Sequence, residues 1–122
     1  MTRQQYLGKK GEQIALDKMI AEGYRILKQN WRHRKKEIDI IAEKDDFLII
    51  VEVKSRSVGF QENPRDAVNM KKQRFLIQAA NAYIHKYDID LEVRFDIITV
   101  VFDDQEYEIE HIEDAFYPTL RH

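Results

Sequence analysis

The sequence FLIIVEVKSR, residues 47–56, has the composition of a buried β-strand. Five apolar residues run unbroken from Phe47 to Val51, and such a β-branched run is typical of a strand that is covered on both faces. Glu52 and Lys54 follow on either side of Val53, so their side chains point to the same face of the strand. A carboxylate and an ammonium group in a buried strand need a structural or a chemical reason.

The elements around this strand predict one α/β domain that spans residues 1–122. Gly23 closes the first helix, and Asn63 with Pro64 has the pattern of an N-cap and a first helical position. The last strand alternates and is expected at a sheet edge. In the order helix, three strands, helix, two strands, the predicted bounds are 3–22, 24–31, 37–43, 47–56, 63–86, 92–102 and 106–112.

The composition excludes several classes of protein. The chain has 122 residues, of which 43% are hydrophobic and 34% charged, enough for a single packed core. No run approaches the roughly 20 apolar residues that span a bilayer, and the N-terminus lacks the apolar segment of a signal peptide. Without cysteine there is no disulfide, thiolate metal site or cysteine nucleophile. We therefore expect a cytoplasmic protein with no membrane partner.

The charge is segregated along the chain, although the net charge is only −2. Residues 24–36 hold six Lys or Arg and no acid, whereas residues 103–114 are acidic and hold no Lys or Arg. Such segregation can create a positive face for nucleic acid on an acidic protein, and a solvated basic loop is the alternative. Trp31 within the basic stretch is expected to cap the core, and stacking on a nucleic-acid base is the alternative. The predicted nucleic-acid contacts are Arg32, Arg34, Lys35, Lys36, Arg56 and Lys72.

The hairpin between the second and third strands permits a geometric prediction. If residues 45–46 form a two-residue turn, Asp39 lies opposite Glu52, and Glu37 lies opposite Lys54. Directly paired side chains share one face, with their Cβ atoms about 5 Å apart, so Asp39, Glu52 and Lys54 would converge. A longer turn would shift the register by one residue and move Asp39 to the other face.

Two neighbouring carboxylates in a partly buried setting repel one another, and a bound divalent cation removes that penalty. Carboxylate oxygens with a few waters are the ligands that Mg²⁺ or Mn²⁺ selects, so Asp39 and Glu52 are the candidate metal ligands. Lys54 could orient or deprotonate an attacking water, or stabilise charge that develops on a phosphate. Ordinary salt bridges across the hairpin are the alternative interpretation.

Glu12 belongs to the first helix. Leu16 and Met19 follow it at i+4 and i+7, so Glu12 lies on or beside the apolar stripe of that helix. In the same helix, Gly8 and Gly11 each carry a propensity cost of about 1 kcal/mol, which indicates a close backbone approach or a frayed start.

Glu12, Asp39, Glu52 and Lys54 together form a pattern that resembles the E…D…ExK signature of the restriction-endonuclease-like, or PD-(D/E)xK, nucleases. The chain is similar to the Holliday-junction-resolvase type and, more narrowly, to the YraN-like family of predicted bacterial endonucleases. Lys36 stands where that family usually has Gly, and Ile38 stands where the motif has Pro. The matching blocks are GKKGEQIA (8–15), NWRHRKKEIDIIA (30–42), VEVKSR (51–56), AVNMKKQR (67–74) and RFDIITV (94–100).

The resemblance implies a central mixed β-sheet flanked by helices, built on an αβββαβ core. It also implies that Asp39 and Glu52 bind the metal, that Glu12 projects towards it and that Lys54 is the catalytic lysine. Resolvase-type enzymes act as symmetric dimers, so a homodimer is expected.

The leading hypothesis is a metal-dependent endonuclease that acts on DNA, with branched or junction DNA among its candidate substrates. A nucleic-acid-binding module with little or no catalysis is the alternative, since a fold does not fix a function. A third hypothesis is an interaction protein that presents its acidic C-terminal strand to a partner.

Overall fold

The computed structural model describes residues 1–59 and 68–117, and it has the predicted order of elements. Among the described residues, no helix combines the length and the apolar character needed to cross a membrane. The helices and strands are α1 (Arg3–Ala21), β1 (Arg25–His33), β2 (Lys36–Lys44), β3 (Phe47–Ser57), α2 (Met70–Tyr87), β4 (Glu92–Asp103) and β5 (Glu106–Phe116).

The five strands form one mixed sheet in the order β1-β2-β3-β4-β5. Strand β2 is antiparallel to both of its neighbours, β1 and β3, while β4 is parallel to β3 and β5 is antiparallel to β4. The parallel pair requires a crossover, and this connection contains α2. The predicted α/β fold with a central mixed sheet flanked by helices is confirmed, and β5 is an edge strand as predicted.

Strand β3 lies at the centre of the sheet and is covered on both faces, as its apolar run predicts. Ile49 and Val51 pack in the cluster that includes Leu16 and Met19 of α1. Ile50 packs in the opposite cluster, which contains the buried side chains of α2. Glu52, the buried polar residue of this strand, therefore lies between two apolar layers.

The register of the β2–β3 hairpin agrees with the predicted two-residue turn. Asp45 and Asp46 have φ angles of 51° and 67°, the left-handed backbone that a type I′ turn needs at both central positions. Lys44 pairs with Phe47, and the described pairs continue in that register to Ile40 and Val51. The described pairs end there, so the next predicted pair, Asp39 with Glu52, is not part of the backbone ladder.

Helix α2 begins later than predicted. Asn69 has an extended backbone and is the N-cap, since its side chain accepts a hydrogen bond from the Lys72 amide at 2.9 Å. A continuous helix over 63–86 is therefore wrong at its start, while the proposed cap at Asn63 and Pro64 lies outside the described residues. Both asparagines suit an N-cap, and the local Asn-Pro signal obscured the later one.

Gly11 brings the backbone of α1 against β3. It is buried, and a Cβ added there would overlap the Ser55 Oγ and lie 3.1 Å from the Ser55 Cβ. Gly8, one turn earlier, has no such neighbour within 4 Å. The close approach at Gly11 holds the next residue, Glu12, near the central strand.

These two glycines provide a matched test of the α1–β3 contact. Gly8→Ala should raise the free energy of unfolding by about 0.5–1 kcal/mol, because Ala has the better helix propensity and meets open space. Gly11→Ala should lower it by about 1–3 kcal/mol, because the added methyl group overpacks the interface. Urea denaturation of both variants measures this difference, and equal stabilisation by both would contradict the close approach.

Candidate functional site

Strand β2 loses its regular alternation at Asp39. Ile40 packs on the α1 side of the sheet, yet Ile38, two residues earlier, packs on the α2 side. In β1, Asn30 lies between the residues paired with Ile40 and Ile38, and it has a left-handed φ of 49°. The irregularity in β1 and the end of the β2–β3 ladder therefore coincide at Asp39.

The Asp39 carboxylate is bonded directly to the central strand. Its Oδ2 accepts a hydrogen bond from the backbone N–H of Val53 at 2.8 Å. Burial raises the pKa of Asp39 well above its usual value, and the charges of Glu52 and Glu12 raise it further. The two strands thus hold Asp39 beside Glu52 although the backbone ladder has ended.

Glu52 is the most buried of the predicted site residues, with 5% of its surface exposed. Its Oε2 lies 3.5 Å from Lys72 Nζ and 3.9 Å from Lys54 Nζ. Its Oε1 is buried and has no hydrogen-bond partner in the described part of the chain. Burial raises the pKa of Glu52, although the two lysines oppose the effect.

Asp96 of β4 shows how this fold satisfies a buried carboxylate that has a structural role. It is 1% exposed and accepts hydrogen bonds from Arg94, from His111 at 2.7 Å and from the Asp114 amide at 3.0 Å. Burial alone would raise the pKa of Asp96, but the bonds from His111 and Arg94 hold it below its usual value. Glu52, by contrast, has one buried oxygen for which the described residues supply no hydrogen-bond partner.

Lys72 reaches this site from α2, which the sequence did not indicate. It was predicted only as a nucleic-acid contact, yet its ammonium group is closer to Glu52 than that of Lys54. Both lysines are about 30% exposed, at 28% for Lys72 and 29% for Lys54. The placement of Lys72 depends on how the crossover helix packs, and no short-range sequence signal carries that information.

Glu12 approaches the site from the other side of the sheet. It is half-buried on α1, as the helical spacing predicted, and its Oε1 accepts a hydrogen bond from Asn30 Nδ2 at 3.1 Å. Asn30 was not predicted as a site residue, because its left-handed backbone and its contact with α1 are visible only in the structure. The structure thus brings Glu12, Asp39, Glu52 and Lys54 to one region where β2 and β3 part.

The chain matches the model of “Uncharacterised protein family UPF0102” over residues 11–100, a range that contains all four of these residues. The chain belongs to the UPF0102 family. It is 47% identical over 121 residues to a UPF0102 protein of Parabacteroides distasonis, covering 99% of this chain and 100% of that protein. It is 49% identical over 111 residues to one of Flavobacterium psychrophilum, covering 91% of this chain and 93% of the relative. The resemblance to the YraN-like, restriction-endonuclease-like family is confirmed.

In this UPF0102 protein, the residues predicted to contact nucleic acid do not all line one cavity. Arg32 is exposed and pairs with Glu37 at 3.4 Å, and the described β2–β3 pairs do not extend to the predicted pair of Glu37 and Lys54. The reason is that β2 leaves the β3 ladder at Asp39 but stays paired with β1. Arg56 lies elsewhere, beside a cavity of about 350 Å³ that Gln4 also lines. Arg34, Lys35 and Lys36 lie together in the β1–β2 hairpin.

Trp31 packs into the core, as predicted. It is half-buried and meets Tyr83 of α2 edge-on, with ring centroids 5.2 Å apart. Its indole therefore contributes to the packing of α2 on the sheet.

The donor set of the site fits a hydrated Mg²⁺ or Mn²⁺ ion. The described residues contain no cluster of three or more His, Cys, Asp or Glu side chains that could hold a metal. Mg²⁺ does not require such a cage, because it keeps several waters and is often bound by one or two carboxylates. Asp39 and Glu52 are the residues that would hold the ion, and the unused Glu52 Oε1 is an available ligand.

Asp39→Asn tests the electrostatic strain of the site. The amide removes one charge but keeps an oxygen that can accept the Val53 N–H bond. Since the folded-state pKa of Asp39 is raised, the ionised carboxylate destabilises the wild type, and this cost grows as pH rises from the ordinary Asp pKa to the raised one and is constant above it. We expect Asp39→Asn to have a higher Tm than the wild type at neutral pH. This difference in Tm should shrink as the pH falls towards the ordinary Asp pKa of about 3.9.

Differential scanning calorimetry across this pH range, without divalent metal, measures the effect. Asp90→Asn is the matched control, because Asp90 is exposed and lies beyond the end of α2. A variant at position 39 that melts at or below the wild-type temperature at every pH would refute the proposed strain.

Proposed function

We propose that this UPF0102 protein is a metal-dependent endonuclease that hydrolyses phosphodiester bonds in DNA, with branched or junction DNA among its candidate substrates. The observation that carries the proposal is the Oε1 of the buried Glu52, which has no hydrogen-bond partner among the described residues and lies next to Asp39 and two lysines. A protein that needed only a folded scaffold would gain stability by replacing this carboxylate with an apolar group. A charged group that is buried without full compensation is typical of a functional site.

The side chains supply complementary roles in hydrolysis. When bound, Mg²⁺ or Mn²⁺ would polarise the scissile phosphate and make a bound water more acidic. Asp39 and Glu52 hold the ion, and the Val53 amide fixes the orientation of Asp39. Lys54 lies on the same strand as Glu52, where it orients or deprotonates the attacking water or stabilises charge on the phosphate. Glu12, positioned by Asn30, supports the site from α1.

The distribution of charge favours nucleic acid as the substrate. The basic β1–β2 hairpin lies at one edge of the sheet, and the acidic β5 lies at the opposite edge. This separation gives the net acidic chain one positive side, which attracts a polyanion towards the candidate site and repels it from β5. A polyanionic substrate thus suits the position of the site better than a small neutral molecule does.

The proposal includes a homodimer and a cytoplasmic location. A four-way junction has two equivalent strands to cut, and a two-fold dimer presents two equivalent sites to them. This part of the proposal rests on the family resemblance, and sedimentation velocity on the purified chain tests the dimer.

A nucleic-acid-binding module with little or no catalysis is the second candidate. The contacts of Lys54 and Lys72 with Glu52 favour it, because they partly neutralise this carboxylate without a metal. In that case the site would be a structural ion-pair cluster, and only the basic surface would act.

Cleavage of labelled DNA separates the two candidates. We expect the wild type to cut at least one of linear duplex, single-stranded and four-way-junction DNA in Mg²⁺ or Mn²⁺, and to be inactive in EDTA. Asp39→Asn and Lys54→Ala should each lower the rate by about 100-fold or more, since each removes a group that acts on the reacting phosphate. Lys9→Gln, an exposed change on α1, is the control and should leave the rate unchanged.

The catalytic proposal would be refuted if the wild type cut none of the substrates. It would also be refuted if Asp39→Asn and Lys54→Ala cut as fast as the wild type. DNA binding that persists in both site variants and weakens steeply with salt would then support the binding module.

A further inference from the structure

A concave basic groove lies between the turn of the β1–β2 hairpin and the first half of α2. It encloses about 600 Å³, the size of a pocket for a small molecule or for a short segment of a polymer. The residues that matter here are Arg34, Lys35 and Lys36 of the hairpin, and Lys71, Arg74 and Phe75 of α2.

The lining of the basic groove suits phosphate groups. Five of its side chains are Lys or Arg, and none of the lining residues within 1–59 and 68–117 is an acid. Two segments that are distant in sequence supply these cations, so their convergence is a product of the fold and not of one basic run. A concave surface of one sign focuses its field and raises the local concentration of an anionic ligand.

Aromatic side chains lie in the same groove. Phe75 and His33 both line it, with ring centroids 6.2 Å apart. His33 stacks on Trp31 at 6.1 Å with an interplanar angle of 9°, and Trp31 is in turn fixed by Tyr83. These rings form a row that begins in the core at Tyr83 and ends in the groove at His33 and Phe75. Cations beside aromatic rings are the combination that binds single-stranded nucleic acid, because phosphates pair with the charges and bases stack on the rings.

Lys72 connects the basic groove to the candidate site. Its ammonium group lies 3.5 Å from Glu52 Oε2 and 5.5 Å from the centroid of the Phe75 ring. Lys36 Nζ lies 5.8 Å from the same centroid. A strand whose base contacts Phe75 would therefore have its neighbouring phosphate within reach of Lys72 and the paired carboxylates.

We propose that the basic groove binds an unpaired nucleic-acid segment beside the site of cleavage, so that the substrate class is DNA with a single-stranded portion. The groove combines cations with the aromatic rings of Phe75 and His33, and this combination suits the exposed bases of a single strand better than the stacked bases of a duplex. This inference deepens the proposed function. Its test measures binding in EDTA, so that a failure of cleavage and a failure of the groove can be distinguished.

Fluorescence anisotropy with a labelled 20-nucleotide oligothymidine and a labelled 20-base-pair duplex tests the proposal. The wild type should bind the single strand about tenfold more tightly than the duplex, because only the single strand can stack its bases. Phe75→Leu keeps the apolar volume but removes the ring, and it should weaken single-strand binding about 5- to 50-fold with little change for the duplex.

A charge variant provides a second readout that does not depend on the packing of Phe75. Arg34→Gln/Lys71→Gln should weaken single-strand binding and reduce the slope of log affinity against log salt by about 1.4, which corresponds to two phosphate contacts. Arg3→Gln/Lys9→Gln removes the same charge from exposed positions on α1 and should leave both quantities nearly unchanged.

Equal affinity for the two probes, no binding of either, or losses as large in the α1 control as in the groove variant would each overturn the proposal. Binding as described, together with an absence of cleavage, would uphold the groove and refute only the nuclease. Cleavage without single-strand preference would refute only the groove.

Discussion

The burial of the Glu52 carboxylate in the central strand is the constraint on which the account of this protein depends. An ionised group in an apolar layer costs several kcal/mol unless charges and hydrogen bonds compensate it. Here the compensation is incomplete, since two lysines approach one oxygen while the other has no partner among the described residues. Asp39 adds a second negative charge next to it. The arrangement is costly for a scaffold and useful for binding a cation.

Four elements of the surrounding fold, β2, β3, α1 and α2, position the groups of this arrangement. The apolar run of β3 fixes Glu52 and Lys54, the end of the β2–β3 ladder frees Asp39 to bond to Val53, and the crossover helix brings Lys72. The close packing at Gly11 places Glu12 on the opposite side. A rigid sheet centre suits a site whose groups must be held at fixed spacing. The basic hairpin lies at the sheet edge next to this centre, where a nucleic-acid strand could approach.

The sequence predicted those features that depend on local periodicity. The β-branched run of β3 and the turn at Asp45-Asp46 determined the strand and its register, and helical spacing placed Glu12 beside the apolar stripe. Lys72 and Asn30 were missed as site residues because their positions result from packing between elements that are distant in sequence. The start of α2 was misplaced because Asn63 and Asn69 have the same capping chemistry, and only the fold selects between them. The structure therefore locates the four residues that the family resemblance implied, namely Glu12, Asp39, Glu52 and Lys54, and their roles stay a prediction.

Direct measurement of Mn²⁺ binding tests the central claim, namely that Asp39 and Glu52 share one divalent cation. Electron paramagnetic resonance reports free Mn²⁺ during a titration of the intact chain, with no need for a substrate. We expect the wild type to bind Mn²⁺ saturably, Asp39→Asn and Glu52→Gln each to lose this binding, and the exposed control Asp90→Asn to retain it. Binding of equal strength in all four proteins, or no binding by the wild type, would contradict it.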